Sequence, residues 1–198
     1  MIQVINYGSG KYESLALTQD TGGYPHTTHV SKPSGTRGDN WWRWKPELLL
    51  SAMTKHPDEF IVYIDAGDLH LPEFWQWLPA YAMVNDTLFC TRGYIHQQWT
   101  KGDCFEAMGM LYLMNEVTPQ LEAGLIGLRA NEDNIALVEE WADWMADDQI
   151  LTDTPSKYPN HPEFIEHRHD QSILTNLIIR DKIPYHHVNH VIWNARQF

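Results

Sequence analysis

The chain has 198 residues, of which 43% are hydrophobic, and a formal net charge of −12, which predicts one folded domain over residues 1–198 rather than disorder. The acidic charge argues against a nucleic-acid partner and against docking on an anionic membrane, and no apolar run approaches the roughly 20 residues of a membrane span. Two cysteines and an N-terminus without a signal-like core lead us to expect a cytoplasmic protein.

The first elements are predicted from weak alternation and glycines. Residues 2–7 alternate between apolar and polar side chains and are predicted to form the first strand. A Gly-Ser-Gly turn and a short helix follow, and such a turn can present backbone N–H groups to a phosphate. Residues 21–40 are rich in Gly, Thr, Pro and His, which predicts a loop with one short strand at residues 26–30.

Residues 41–46 read Trp-Trp-Arg-Trp-Lys-Pro and are unusual in composition. Pro46 is expected at the first position of a helix, where its missing N–H costs nothing. Arg43 and Lys45 alternate with the indoles, which makes the segment too polar for simple core packing. We therefore predict a loop that borders a functional site.

Residues 60–68 are the segment around which the rest of the chain is organised. Phe60–Ile64 is a short apolar run of the kind that forms a strand buried on both faces. It ends at Asp65 and Asp68, and ligands of open α/β sheets bind beyond the carboxyl ends of the strands. Carboxylates suit Mg²⁺ and Mn²⁺. The segment predicts a site for a cation and a phosphate, and an ordinary Asp-Gly turn after a strand is the alternative.

The middle of the chain continues the alternation of helices and strands. We expect a helix at residues 72–83 that Pro79 kinks or ends, a strand at residues 87–91, and a polar, aromatic segment at residues 94–103 that is not mostly buried. Residues 120–129 combine a turn at Ala123-Gly124, where a ligand can approach the backbone, with a short strand. Asn131 or Asp133 is expected to cap the amphipathic helix that follows.

The C-terminal third contains a proline-rich loop, a helix and a last strand. Residues 150–162 are predicted as loop, residues 172–180 as helix and residues 184–188 as strand. Asp170 is expected to cap the helix or to lie in its first turn. The β/α alternation predicts an α/β fold with a mainly parallel central sheet flanked by helices, and with polar loops meeting at one sheet edge.

Five polar segments follow one another in a recognisable order: residues 42–46, 63–68, 99–103, 123–124 and 167–171. This succession resembles a family of small bacterial and viral glycosyltransferases of the GT-A fold, found with capsule and lipopolysaccharide genes. The resemblance spans about residues 38–183. It implies a GT-A-like (Rossmann-like) enzyme of polysaccharide biosynthesis. Such an enzyme transfers a sugar from a nucleotide-sugar, expected to be a UDP- or GDP-sugar, to a glycan or other hydroxyl acceptor with Mn²⁺ or Mg²⁺.

The resemblance also implies metal ligands. Asp65 matches the first acid of the family's Asp-x-Asp motif, whereas Gly67 stands at the third position and the second acid follows one residue later as Asp68. A late histidine completes the metal shell in this fold. His187 and His190 are the candidates, and His190 is the residue we assign.

Further roles follow from the same resemblance. The donor would contact the first strand, a basic side chain and two later segments, through Val4, Asn6, Tyr7, Lys45, Ala123, Gly124 and Gln171. Arg43 and Lys101 are further candidates to help Lys45 neutralise the leaving diphosphate. An inverting enzyme also needs a carboxylate base near the acceptor hydroxyl, and Asp103 or Asp170 would serve. A retaining enzyme would not need that base, and the sequence does not decide between the two.

Two other classes of protein fit parts of the sequence. A carbohydrate-binding module without catalysis would use the tryptophan surfaces and would depend on neither nucleotide nor metal. A metal-dependent hydrolase would be built on His167, His169 and the acids, because His-x-His is a plausible metal pair. The neighbouring helix cap favours a structural role for those histidines.

Overall fold

The computed structural model describes residues 1–32, 34–187 and 193–194. Its strands are β1 Ile2–Ser9, β2 His26–Ser31, β3 Phe60–Ile64, β4 Leu69–His70, β5 Thr87–Ile95, β6 Pro119–Arg129, β7 His186–His187 and β8 Trp193–Asn194. Its helices are α1 Glu13–Leu17, α2 Gly38–Trp41, α3 Trp44–Lys55, α4 Pro72–Val84, α5 Gly102–Ala107, α6 Glu132–Trp144, α7 Asp148–Leu151 and α8 Asp170–Arg180. Three short 3₁₀ segments lie at Gly10–Tyr12, His96–Gln98 and Leu111–Asn115.

Six strands form one central sheet in the order β2-β1-β3-β6-β5-β7, and β4 pairs with β8 separately. β6 runs antiparallel to both of its neighbours, whereas the remaining pairs of the central sheet are parallel. The prediction of a single α/β domain with a mainly parallel sheet is therefore confirmed.

β3 is an inner strand whose five residues are all buried, as its apolar run predicts. Ile61 and Tyr63 pack into a core with side chains from α3, α5, α6 and α8. The alternate residues of β3 pack into a second core with Phe74 and Leu78 of α4. Helices on both faces thus explain why this strand lacks polar positions.

The expectation about Pro46 was wrong. α3 begins at Trp44, so Pro46 is its third residue rather than its first. The first four N–H groups of a helix have no intrahelical partner, so a proline costs no hydrogen bond at either position. Pro79 does not end α4, which continues to Val84 while Phe74 and Leu78 hold it against the sheet.

The segment at residues 94–103 was also predicted wrongly, because most of it is buried. The ring of His96 contacts the side-chain oxygens of Gln120 at 2.5 Å and Asn176 at 2.8 Å. The ammonium of Lys101 donates to the carbonyl of Thr152 at 2.9 Å. Polar side chains can be buried where such partners replace water.

The turn predicted at Ala123-Gly124 is absent, since both residues lie inside the continuous strand β6. The N–H of Asp65 donates to the carbonyl of Gly124 at 2.8 Å, which continues the β3–β6 pairing past the end of β3. Both helix-start expectations hold: the Asn131 side chain accepts from the N–H of Asn134 at 2.9 Å, and Asp170 lies in the first turn of α8. No helix within the described ranges has the length and apolarity to span a bilayer.

Candidate active site

The turn after β3 presents two acids beside β6. The N–H of Asp68 donates to the carbonyl of Asp65 at 3.1 Å, and Gly67 in between has a φ of 86°, a conformation that glycine adopts readily. A Cβ atom at Gly124 would lie 3.1 Å from Oδ2 of Asp68 and 3.2 Å from Oδ2 of Asp65. The two oxygens therefore face the same point above β6, and only glycine leaves that point open.

Lys45 of α3 lies close to the same acids. Its ammonium lies 2.9 Å from Oδ2 of Asp170, 3.6 Å from Oδ1 of Asp65 and 2.9 Å from the carbonyl oxygen of Ala123. Burial lowers the pKa of Lys45, but the charges of Asp170 and Asp65 outweigh it and leave the pKa raised. Lys45 is thus a charged ammonium in a nearly dry site.

Tyr63, the fourth residue of β3, forms the floor beneath these charges. Its hydroxyl donates to Oδ1 of Asp65 at 2.5 Å, and the Lys45 ammonium lies 4.9 Å from its ring centroid. Burial, followed by the negative charge of Asp65, raises the pKa of the Tyr63 phenol well above its usual range. Tyr63 therefore remains a neutral hydrogen-bond donor that fixes the orientation of the Asp65 carboxylate.

Asp170 is the first residue of α8 and brings a third carboxylate. Burial raises the pKa of Asp170, and the adjacent Lys45 ammonium opposes that effect. The side-chain oxygen of the next residue, Gln171, accepts from the N–H of Ala123 at 3.4 Å. The start of α8 is thereby tied to β6 beside the acids of the β3 turn.

A fourth acid, Glu122 of β6, lies beside a guanidinium. Its Oε1 is 3.5 Å from Nε of Arg92 of β5. Burial raises the pKa of Glu122, and the positive charge of Arg92 acts against it. Glu122 therefore has a higher proton affinity than an ordinary surface glutamate.

These groups line a cavity of about 810 Å³. Five basic side chains lie on its wall, namely Lys11, Arg37, Lys45, Arg92 and Arg168, and five acids lie there too, namely Asp39, Asp65, Asp68, Glu122 and Asp170. The chain carries only 14 Lys and Arg residues against 26 acids. The formal charges of the wall therefore balance, in contrast to the acidic chain as a whole, and the cavity offers contacts both for anionic groups and for a cation.

The end of the cavity next to β1 is aromatic. The rings of Tyr7 and Trp44 stack with centroids 3.8 Å apart. The Tyr7 hydroxyl and the N–H of Ser34 donate to the carboxylate of Asp39. Burial raises the pKa of Asp39, but these hydrogen bonds lower it to about 2. This end combines a flat apolar surface with a fixed negative charge.

The loop that carries Asp39 has an unusual backbone. Residues 38–42 all have φ between 51° and 73°. The N–H of Trp41 donates to the carbonyl of Arg37 at 2.8 Å and that of Trp42 to Gly38 at 3.1 Å, so the segment is one turn of left-handed helix. L-residues rarely form such a turn. Its Gly-Asp-Asn sequence contains the three residues that tolerate positive φ best, which is a signal that sequence analysis passed over.

Most of the expected site residues meet at this cavity. Except for Val4 and Asn6, the described residues assigned to the donor and the metal line it together with the acid of α8: Tyr7, Lys45, Asp65, Asp68, Ala123, Gly124, Asp170 and Gln171. Tyr63, Glu122, Arg92, Arg168 and Asp39 also line it and were not expected. Tyr63 and Arg168 lie in two of the five polar segments but had been given no role. Glu122, Arg92 and Asp39 lie outside those segments, so only the fold brings them to the cavity.

Val4 and Asn6 do not line the cavity. Val4 is fully buried in the core beneath α4, and the Asn6 amide donates to the carbonyl of Ala16 at 2.9 Å. Both side chains stabilise the β1 region from within. Of the two candidate histidines for the metal, His190 lies outside the described residues, and His187 is an exposed residue of β7.

Asp103 and the other two basic candidates also lie elsewhere. The Asp103 carboxylate accepts from the backbone N–H of Lys157 at 3.0 Å and of Tyr158 at 2.6 Å, so it anchors the loop before α8. Lys101 contacts backbone carbonyls of the same region, and Arg43 donates to the carbonyl of Met145 at 2.8 Å. This placement gives Asp103 no contact with the cavity acids.

The two histidines of the His-x-His pair hold backbone groups. Nε2 of His167 donates to the carbonyl of Ile150 and Nδ1 of His169 to that of Leu151, both at 2.7 Å. Burial lowers the pKa of both rings, so each is neutral near pH 7. Among residues 1–32, 34–187 and 193–194, no cluster of three or more His, Cys, Asp and Glu side chains forms a metal site.

Comparisons with known proteins agree with this architecture at the level of fold. No protein-family model matches the chain, and no curated protein matches it in sequence. Among solved structures, it is similar to a glycosyltransferase involved in the glycosylation of the major capsid of PBCV-1. The TM-score is 0.53 at 10% identity, over 96% of this chain and 80% of that chain. The chain therefore has a glycosyltransferase fold.

Proposed function

We propose that the chain transfers a sugar from a nucleotide-sugar to a hydroxyl acceptor. The observation that carries this proposal is the convergence of Asp65 and Asp68 over Gly124, next to the Lys45–Asp170 pair, in a cavity rich in basic groups. The same cavity has an aromatic end suited to a base and a polar end suited to a sugar. The glycosyltransferase fold supports this reading.

Asp65 and Asp68 are the residues that would hold a divalent cation. Their oxygens face one point that a Cβ at Gly124 would fill, and carboxylates are the ligands that Mg²⁺ and Mn²⁺ prefer. A cation there would offset the negative charge of a departing diphosphate. Tyr63 keeps the Asp65 carboxylate oriented through its hydroxyl, and Lys45 supplies a further positive charge at the same place.

The nucleoside would lie at the aromatic end. Tyr7 and Trp44 offer a flat surface on which a base can stack, and Asp39 offers an ionised acceptor for a base N–H or a ribose hydroxyl. Lys11 and Arg37 lie on the wall of the same cavity and can contact phosphate oxygens. This division puts the diphosphate between the base and the acids of the β3 turn.

The transferred sugar and its acceptor would occupy the end near α8 and β6. Asp170 accepts hydrogen bonds there from sugar hydroxyls, and Gln171 joins it in holding the donor. In an inverting reaction a carboxylate takes the acceptor proton while the acceptor oxygen bonds to the anomeric carbon and the diphosphate leaves. Asp170 is the acid we assign to that proton.

A panel of nucleotide-sugars tests the proposal. The purified chain is incubated with UDP- and GDP-sugars, with and without Mn²⁺ or Mg²⁺, and the release of nucleoside diphosphate is measured with simple glycosides as acceptors. We expect release with one donor class that an acceptor accelerates. Glycan binding without any release would indicate a carbohydrate-binding module, and hydrolysis of unrelated esters would indicate a hydrolase; either result would overturn the proposal.

A further inference from the structure

His169, the residue before α8, has a backbone conformation that histidine rarely adopts. Its φ is 52° and its ψ is −119°, a combination for which glycine is the usual residue. The side chain of His169 does not cap the helix, so capping does not explain the residue. Such a conformation persists only where the surroundings hold it.

The surroundings of the His169 ring do hold it. Nδ1 donates to the carbonyl of Leu151 at 2.7 Å, and only 1% of the residue is exposed. The ring stacks on Trp42 with centroids 5.3 Å apart and contacts Trp41 at 5.0 Å. Both tryptophans belong to the left-handed turn at residues 38–42, so two strained backbone segments are packed against each other through this ring.

The strained residue directly precedes the acid of the cavity. The carboxylate of Asp170 is turned onto the Lys45 ammonium at 2.9 Å, and the carbonyl of Asp170 accepts from Nε1 of Trp141 at 3.0 Å. A change of His169 to an ordinary φ would rotate the peptide that links it to Asp170. The Asp170 side chain would then leave Lys45, because its direction follows from the backbone on which it stands.

We propose that His169 is a positioning residue, which uses its ring contacts with Leu151 and Trp42 to hold a backbone conformation that aims Asp170 at Lys45. Its catalytic consequence rests on the proposed function, in which Asp170 faces the sugar and the acceptor. The left-handed turn at residues 38–42 therefore acts on the reaction through His169, the residue next to Asp170. No other described histidine combines a positive φ with a place on the cavity wall.

Three variants separate positioning from general stabilisation. His169→Ala removes the ring and leaves a residue that disfavours positive φ. His169→Gly removes the ring but tolerates the native backbone. His167→Ala is the control, because His167 is also buried and bonds to the carbonyl of Ile150, whereas its ring contacts that of His169, with centroids 5.2 Å apart, and not the tryptophans. Crystal structures give the Lys45–Asp170 distance, and kinetics give kcat and KM for the donor.

For His169→Ala we expect the Lys45–Asp170 distance to grow beyond about 4 Å, the limit of an ion pair. We expect kcat to fall about a hundredfold with KM little changed, the scale for a misplaced group. His169→Gly should keep the Lys45–Asp170 distance and kcat close to their wild-type values. His167→Ala should lower the melting temperature but leave this distance and kcat unchanged. An unchanged distance in His169→Ala, or glycine no better than alanine, would overturn the inference. If the wild type transfers no sugar, the proposed function fails while these distances still decide the role of His169.

Discussion

The ammonium of Lys45 lies 2.9 Å from Oδ2 of Asp170, and the two side chains are only 2% and 6% exposed. Removal of one charge would leave the other buried without its counter-charge, which typically costs about 3–5 kcal/mol. We expect Lys45→Met to lose that much unfolding free energy. The double variant Lys45→Met/Asp170→Asn should lose clearly less than the two single losses combined. Urea denaturation of all four proteins measures this, and additive losses would show that the pair is not coupled.

Gly124 and Gly127 lie on the same strand but should respond differently to alanine. A Cβ at Gly124 would meet Asp65 and Asp68 oxygens, so Gly124→Ala should weaken Mn²⁺-dependent nucleotide binding at least tenfold, a loss of about 1.4 kcal/mol. A Cβ at Gly127 would lie 2.7 Å from Phe60 and 2.8 Å from Leu88, so Gly127→Ala should cost about 1–3 kcal/mol of stability by overpacking. Calorimetry measures the loss of nucleotide binding, and thermal melts measure the loss of stability. Equal losses of binding in the two variants would contradict a cation site at Gly124.

Asp65→Asn should abolish the Mn²⁺-dependent part of UDP or GDP binding and leave the fold intact. The amide keeps the shape of the carboxylate but lacks the charge that offsets a divalent ion. Asp68→Asn should act in the same way if the displaced second acid ligates the cation. Asp133→Asn, a change at an exposed acid of α6, is the control. Titration calorimetry with unchanged affinity in Asp65→Asn would remove the metal from the proposal.

Asp103→Asn and Asp170→Asn should both destabilise the fold, but only the second should change the transfer rate of the folded protein. Asp103 accepts backbone N–H bonds from Lys157 and Tyr158, so Asp103→Asn should cost about 1–3 kcal/mol of stability with little change in the transfer rate of the folded protein. Asp170→Asn should lower the rate of the folded protein by roughly a hundredfold, the scale of lost acid–base assistance, in addition to the stability lost when Lys45 keeps no counter-charge. Parallel assays of rate and melting temperature decide, and a rate for Asp103→Asn as low as that for Asp170→Asn would return Asp103 to the reaction.

His70 should make the fold sensitive to mild acid. Burial lowers the pKa of His70 from 6.5 to about 4, so the unfolded chain binds a proton between these values that the folded chain does not. Stability is then complete above pH 6.5 and falls as the pH drops towards 4, by about 2 kcal/mol between pH 7.5 and pH 5 for this group alone. Urea midpoints across this range should fall less steeply for His70→Phe. An equally steep fall of the urea midpoint with pH in wild type and His70→Phe would contradict the lowered pKa of His70.

The sequence predicted the elements that depend on local pattern. The run Phe60–Ile64 is fully apolar because both faces of β3 are covered, and that requirement is visible in the residues themselves. Asp65 and Asp68 follow the strand end directly, so their place at the crevice could be inferred from fold rules. Lys45 was found because it and Arg43 alternate with tryptophans, which made the segment too polar for simple core packing.

The remaining features of the site depend on contacts between residues that are far apart in the sequence. Glu122 and Arg92 meet only because β6 lies next to β5, and neither stands in a recognisable motif. Asp103 resembled a site acid in sequence, but its backbone partners lie more than 50 residues away. The buried segment around His96 was misjudged for the same reason, since polar residues are buried only when their partners are in place.

The position of β6 has a consequence for how the molecule folds. Among the described strands, β6 alone joins β1, β2 and β3 to β5 and β7 in the central sheet, and it follows β3 by more than 50 residues. Pairing across such separations is slow, because the loop entropy is lost before the contacts are gained. Until β6 inserts, Asp65 and Gly124 belong to separate half-sheets and no ligand pocket exists. A bound nucleotide would therefore leave the folding rate unchanged and slow only unfolding.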